Sequence, residues 1–196
     1  VVSGLKEALT IGAENAVKRT GREDGYFLNE PIKILMPSKL QNVEKGLRMV
    51  GMGGQIDELV LSMKLAAERA APLAKSILWD AVKQMTITDA RKILTGGDTA
   101  ATEYFELTTT EPLTAAFQPI VSEAMEDVGV TSQYKALMGR AGAIPFLKTE
   151  AFDLDAYVVG KSLDGLFHVL GEEETKIRKN PAARVTPLLK EVFGSL

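Results

Sequence analysis

The octapeptide Thr95-Gly96-Gly97-Asp98-Thr99-Ala100-Ala101-Thr102 holds the residue types with the most chemical potential in this 196-residue chain. Two glycines stand directly before an expected helix N-terminus, where free N–H groups and the helix dipole attract anions. The pattern suggests a cradle for phosphate or carboxylate, with Thr95, Gly96, Gly97, Asp98 and Thr102 as binding residues. It is not a nucleotide-hydrolase phosphate loop, because no Lys-Ser or Lys-Thr follows the glycines. Asp98 opposes the cradle, since as N-cap its carboxylate would take the donors that an anion needs. The competing reading is one helix end joined to the next helix start. Asp80 and Lys83 lie one helical turn apart beside the only tryptophan, Trp79. They would extend the site if the fold brings them close, or pair with each other on the surface.

Other chemistries find less material. The chain has no cysteine, which excludes disulfides, thiolate metal sites and cysteine nucleophiles. Any Ser-His-Asp relay or imidazole-bound metal would have to use the single histidine, His168. It lacks a second histidine and a Glu-x-x-His context, and reads as structural. Asp98 with Glu103, Asp153 with Asp155, and Glu172–Glu174 all lack calcium-loop spacing. The three consecutive glutamates read as a solvated, ion-paired helix face. No catalytic residue, metal ligand or cofactor is assigned. One candidate remains, the apolar stretch Ala143-Ile144-Pro145-Phe146-Leu147. Ile144, Phe146 and Leu147 either contact a partner protein or lipid, or fold back to plug the core.

Composition sets the frame for these sites. With 45% hydrophobic and 25% charged residues, the chain has the balance of a globular protein. It carries 23 basic and 26 acidic side chains, a net charge of −3. The basic residues Lys176, Arg178, Lys179, Arg184 and Lys190 follow directly on Glu172–Glu174, which cancel the field that nucleic-acid binding requires. No apolar run reaches the roughly 18 residues of a membrane span. The chain opens at Val1 without a basic-then-apolar leader, as expected if a signal peptide is lacking or already removed.

The elements that must position the candidate residues are helices. Apolar spacings of three and four predict about ten of them. The first runs from Ser3 to Gly21, and the second starts at a Ser38–Gln41 capping box and closes at Gly51. The next carries Ile56–Ala70, and Pro72 either kinks it or opens a new helix whose apolar face runs over Leu73–Met85. Thr88 is the expected cap of a short helix to Leu94, and Asp98 of one that Thr108–Thr110 interrupt. Thr110-Glu111-Pro112 then starts a helix that runs through Val128, kinked or split at Pro119. The last three are expected to start at Thr131 or Ser132, Asp153 and Thr186. Only residues 26–36 read differently. Tyr26-Phe27-Leu28, and then Ile32, Ile34 and Met36 alternating with Lys33 and Leu35 between two prolines, suggest a short β-hairpin laid on helices. The expected fold is therefore all-α, a multi-helix bundle in a single domain over 1–196.

Several segments resemble a known family. Gly4-Leu5-Lys6-Glu7-Ala8-Leu9, Val43-Glu44-Lys45-Gly46-Leu47-Arg48, Asp80-Ala81-Val82-Lys83-Gln84-Met85 and Ile93–Thr102 are similar to the bacterial family called domain of unknown function 4197. Leu154–Val158 and Lys161–Phe167 complete a resemblance that covers essentially the whole chain, with Lys64 where an asparagine is expected. The resemblance implies a helical, exported protein of Gram-negative bacteria, here as a mature periplasmic form. It implies no activity, cofactor or site residues. The expected function is non-enzymatic: binding of a partner protein, or of an apolar, lipid-like ligand between helices. The alternative is an anion- or metal-binding protein or enzyme that uses the Thr95–Thr102 turn.

Overall fold

Nine α-helices, four 3-10 turns and no strand make up the described part of the computed structural model, residues 1–26, 28–127, 129–184 and 186–194. Phe27 and Val128, which belong to the expected apolar patterns, lie outside the described residues. The helices are α1 (Val2–Gly21), α2 (Gln41–Met49), α3 (Gly53–Ala70), α4 (Ala74–Gln84) and α5 (Ile87–Thr95), then α6 (Ala100–Asp127), α7 (Val130–Gly142), α8 (Leu154–Lys179) and α9 (Pro187–Phe193).

Helix α8 is the axis. Val158, Val159, Ser162, Leu163, Leu166, Phe167, Val169 and Leu170 are all buried, a stripe too wide for one neighbour. Both α6 and α1 pack along it, α3 crosses α6 and α8, α4 and α9 rest on α1, and α2 and α7 close against α3. One continuous apolar core runs from Leu5 to Phe193. No helix among the described residues is long and apolar enough to cross a membrane.

The helix count falls by one because Thr108–Thr110 do not interrupt α6, which runs unbroken through Pro112 and Pro119. Each proline removes one N–H from the ladder. The threonines around Pro112 stay helical by returning their hydroxyls to the carbonyls four residues back: Thr108 to Tyr104, Thr109 to Phe105, Thr110 to Glu106 and Thr114 to Thr110, at 2.5–2.8 Å. Two expected caps also move. Thr86, not Thr88, caps α5 in a reciprocal capping box with Asp89. The Ser38–Gln41 box does not form, because Ser38–Leu40 is a 3-10 turn. Gly51, at φ +84°, and Asp153, accepting from the Ala156 N–H, end α2 and start α8 as expected.

Among the described residues, the expected β-hairpin does not form at 26–36. Glu30–Ile32 is a 3-10 turn, and residues 33–37 form no ladder. The alternation was real, since Ile32, Ile34 and Met36 are buried while Leu35 is exposed. An extended strip can bury every second residue against helices without a partner strand. Two phenols pin it to α8: Tyr26 donates to the Ser162 carbonyl and Tyr157 to the Leu35 carbonyl, both at 2.6 Å. Gly165 makes the approach possible, because a Cβ there would stand 2.6 Å from Cε1 of Tyr26. Gly160, on the same helix, has nothing within 4 Å of that position. Gly165→Ala should therefore destabilise the protein by about 1–3 kcal/mol through overpacking, and Gly160→Ala should stabilise it by about 0.5–1 kcal/mol through backbone entropy. Urea denaturation of the two variants checks the opposite signs.

Candidate functional site

The N-terminus of α6 is an anion site whose anion is part of the chain. The Ala101 N–H donates to Oε1 of Glu174 and the Thr102 N–H to Oε2, both at 2.9 Å, and the Thr102 hydroxyl adds a third bond at 2.8 Å. The Arg178 guanidinium holds the same carboxylate through Nε and Nη2, at 2.9 and 2.8 Å, and passes a further bond to the Ile93 carbonyl at the end of α5. Glu174 and Arg178 are both buried in this contact, with 6% and 9% of their side chains exposed. The other two free donors of the first turn go to backbone, Ala100 N–H to Gly97 and Glu103 N–H to Thr99. All four N–H groups from Ala100 to Glu103 thus have acceptors, and an external anion would have to displace Glu174.

The predicted residues around this turn are placed as follows. Asp98 does not cap α6; its carboxylate reaches out to the Lys179 ammonium at the surface. The Thr95 hydroxyl returns to the Arg91 carbonyl. Gly96 is required by crowding, since a Cβ would meet that of Ala100 at 2.5 Å and the Lys92 carbonyl oxygen at 2.8 Å, whereas Gly97 faces open space. Asp80 and Lys83 pair with each other at 3.3 Å, both exposed. They do not join the turn: Asp80 lines a cleft with Ile77 and Tyr104, and Thr102 lines another with Glu103 and His168.

The glutamate run differs from the expected solvated face. Only Glu172 is half-exposed, held by Arg19 at 2.5 Å and by His168 one turn earlier at 3.3 Å. Glu173 is buried between Arg19 and Lys176, at 2.7 and 3.1 Å, and accepts from Asn15. Burial raises its carboxyl's affinity for protons, but the hydrogen bonds from Lys176 and Arg19 outweigh that and leave its pKa below the usual value. Successive helical residues point about 100° apart, so one run serves three environments.

The apolar loop divides its residues. Ile144 and Leu147 are half-buried and turn toward α2, where a Cβ on Gly46 would meet Cδ2 of Leu147 at 3.0 Å and Cδ1 of Ile144 at 3.9 Å. Phe146, between them, is fully exposed and adopts a left-handed backbone at φ +68°. Met49 and Val50, one turn beyond Gly46, are also exposed. Between α1, α6, α8 and α9 there is a cavity of about 20 Å³, lined by Leu5, Phe105, Leu170 and Phe193 with the engaged Glu174 and Arg178. That is space for about one water, not for a lipid chain.

A family model described as "Protein of unknown function (DUF4197)" matches residues 1–194. The chain belongs to this family. No curated protein and no solved structure matches it. The family's description carries no activity, so no residue role transfers from it. Glu174 and Arg178 clamp the segment Ile93–Thr102.

Sequence reading missed a second buried charge group. Lys64, expected as asparagine, is buried and pairs with Asp24 at 2.5 Å and with Glu68 at 3.8 Å. Oε1 of Glu68 is buried and accepts no hydrogen bond. Burial pushes the Glu68 carboxyl above its usual pKa, Lys64 and the Tyr26 N–H oppose this, and Asp24 and Glu23 add to it. A carboxyl raised in the folded state binds its proton more tightly there than in the unfolded chain, so its contribution to stability falls as pH rises from the ordinary glutamate range through the raised value. Glu68→Gln should gain on the wild type over that window and hold its advantage above it, as stability measured from pH 4 to 8 would show. Glu174→Ala should cost about 3–5 kcal/mol, because it leaves Arg178 and two helix N–H groups buried without their acceptor. Asp98→Ala should cost about 0.5 kcal/mol or less, as expected for an exposed pair. Denaturant titration separates the two.

Proposed function

We propose that this is a non-enzymatic binding protein of the bacterial envelope, exported and acting in the periplasm, whose binding surface is the end formed by α2, α7 and the 143–147 loop. The observation that carries the reading is Phe146. A bulky residue in the left-handed region costs about 1–2 kcal/mol, and Phe146 is fully exposed as well as strained. Such strain is retained where a task requires it. Ile144 and Leu147 anchor the loop on α2 and hold the ring outward. The small internal cavity favours a ligand met at the surface over one enclosed between helices. Engagement of the α6 N-terminus by Glu174 weighs against the alternative of an anion site or enzyme at Thr95–Thr102. Placement in the envelope rests on what the family resemblance implies about export.

Phe146→Gly should fold as well as the wild type and be about 1 kcal/mol more stable, since glycine adopts positive φ freely. A photo-crosslinking residue at position 146 in intact cells should capture an adduct that the same residue at Leu107, an exposed leucine on α6, does not. No adduct at 146, or identical adducts at both positions, would overturn the reading.

A further inference from the structure

The charge around the exposed loop identifies what it meets. Residues 130–149 contain Lys135, Arg140 and Lys148 and no acidic residue, with the exposed Glu150 following directly, in a chain whose net charge is −3. All three cations are exposed, and none forms an ion pair among the described residues. Arg140 makes only a contact at 3.9 Å with Sδ of Met52. Elsewhere some cations of similar exposure are matched, Lys18 with Glu14, Arg69 with Asp127, Lys83 with Asp80 and Lys179 with Asp98, while Arg22, Lys39, Arg91, Lys92 and Lys190 are exposed and form no ion pair among the described residues. Lys45, one turn before Met49 on α2, adds a fourth exposed cation without an ion pair. The same end carries the exposed apolar side chains of Met49, Val50 and Phe146.

We infer that this end docks on an anionic lipid surface, with Phe146 entering the interface and Lys135, Arg140 and Lys148 meeting the headgroup phosphates. The inference rests on the proposed binding role of this end and names its partner. Apolar insertion and basic attraction together make a two-signal peripheral anchor, and either alone holds weakly. An apolar protein groove would accept Phe146 but would leave these cations unmatched. A lipid surface satisfies both, because the stems of lysine and arginine lie along apolar matter while their heads reach phosphate.

Flotation of the whole chain with vesicles of phosphatidylglycerol and phosphatidylethanolamine tests it, against vesicles of phosphatidylcholine alone. The expected result is binding to the anionic vesicles that weakens with salt. Phe146→Ala should reduce it at least about tenfold, and each of Lys135→Gln, Arg140→Gln and Lys148→Gln about fivefold. Leu107→Ala should leave it unchanged. These positions are exposed, so unchanged melting temperatures separate lost binding from lost fold. Absence of wild-type binding to anionic vesicles, or equal binding by the Phe146→Ala variant, would overturn the inference. If vesicles fail while position 146 crosslinks to a protein, the lipid inference falls and the binding role stands; if both fail, both fall.

Discussion

The carboxylate of Glu174 closes a junction on which the arrangement of the three central helices depends. It sits at the N-terminus of α6, one end of the dipole facing it and the Arg178 guanidinium beside it. Removing such a carboxylate from water costs several kcal/mol, and only a full set of donors offsets that. Here two N–H groups, a hydroxyl and a guanidinium supply the set. Because Arg178 also bonds the last turn of α5, the junction fixes where α5 ends, where α6 begins and how α8 lies against both. Gly96 is the residue this sharp connection demands, since a Cβ there would collide with Ala100 and the Lys92 carbonyl oxygen.

This arrangement changes the meaning of the glycine-rich turn. Two glycines before a helix are equally consistent with a cradle for a ligand and with a tight connection, since both need backbone N–H groups that point outward. What separates them is whether an acceptor already stands there. Glu174 lies 72 residues from Thr102 along the chain, so no local pattern around the turn reveals it. Tertiary packing brings the acceptor in, and the turn becomes a structural clamp.

Function moves to the opposite kind of surface. Cations in the packed interior are paired, as in Arg19 with Glu172 and Glu173, and most apolar side chains are buried. At the end formed by α2, α7 and the following loop, exposed cations stand with the exposed side chains of Met49, Val50 and Phe146. Phe146 stands outward in a strained conformation while its neighbours are anchored. That residues 130–149 are basic and free of acids was legible in the sequence. It acquires weight only once those cations are seen to be exposed, unpaired and beside an exposed apolar tip.

Periodicity by itself determined the helical class, most helix positions and several ends, because a three-and-four apolar spacing, an Asp153 cap or a Gly51 stop acts within one turn of the chain. It misjudged α6, where threonine hydroxyls keep helical a run that looks like an interruption. It misjudged 26–36, where burial against α8 produces the alternation of a strand without any strand partner. Tertiary structure alone decided three matters: that Glu174 and not Asp98 meets the α6 N-terminus, that Glu173 and Glu174 are buried and not solvated, and that Phe146 points outward while Ile144 and Leu147 point in. Local signals reach about four residues along a helix, whereas each of these outcomes depends on a partner dozens of residues away or on which side of the molecule faces water.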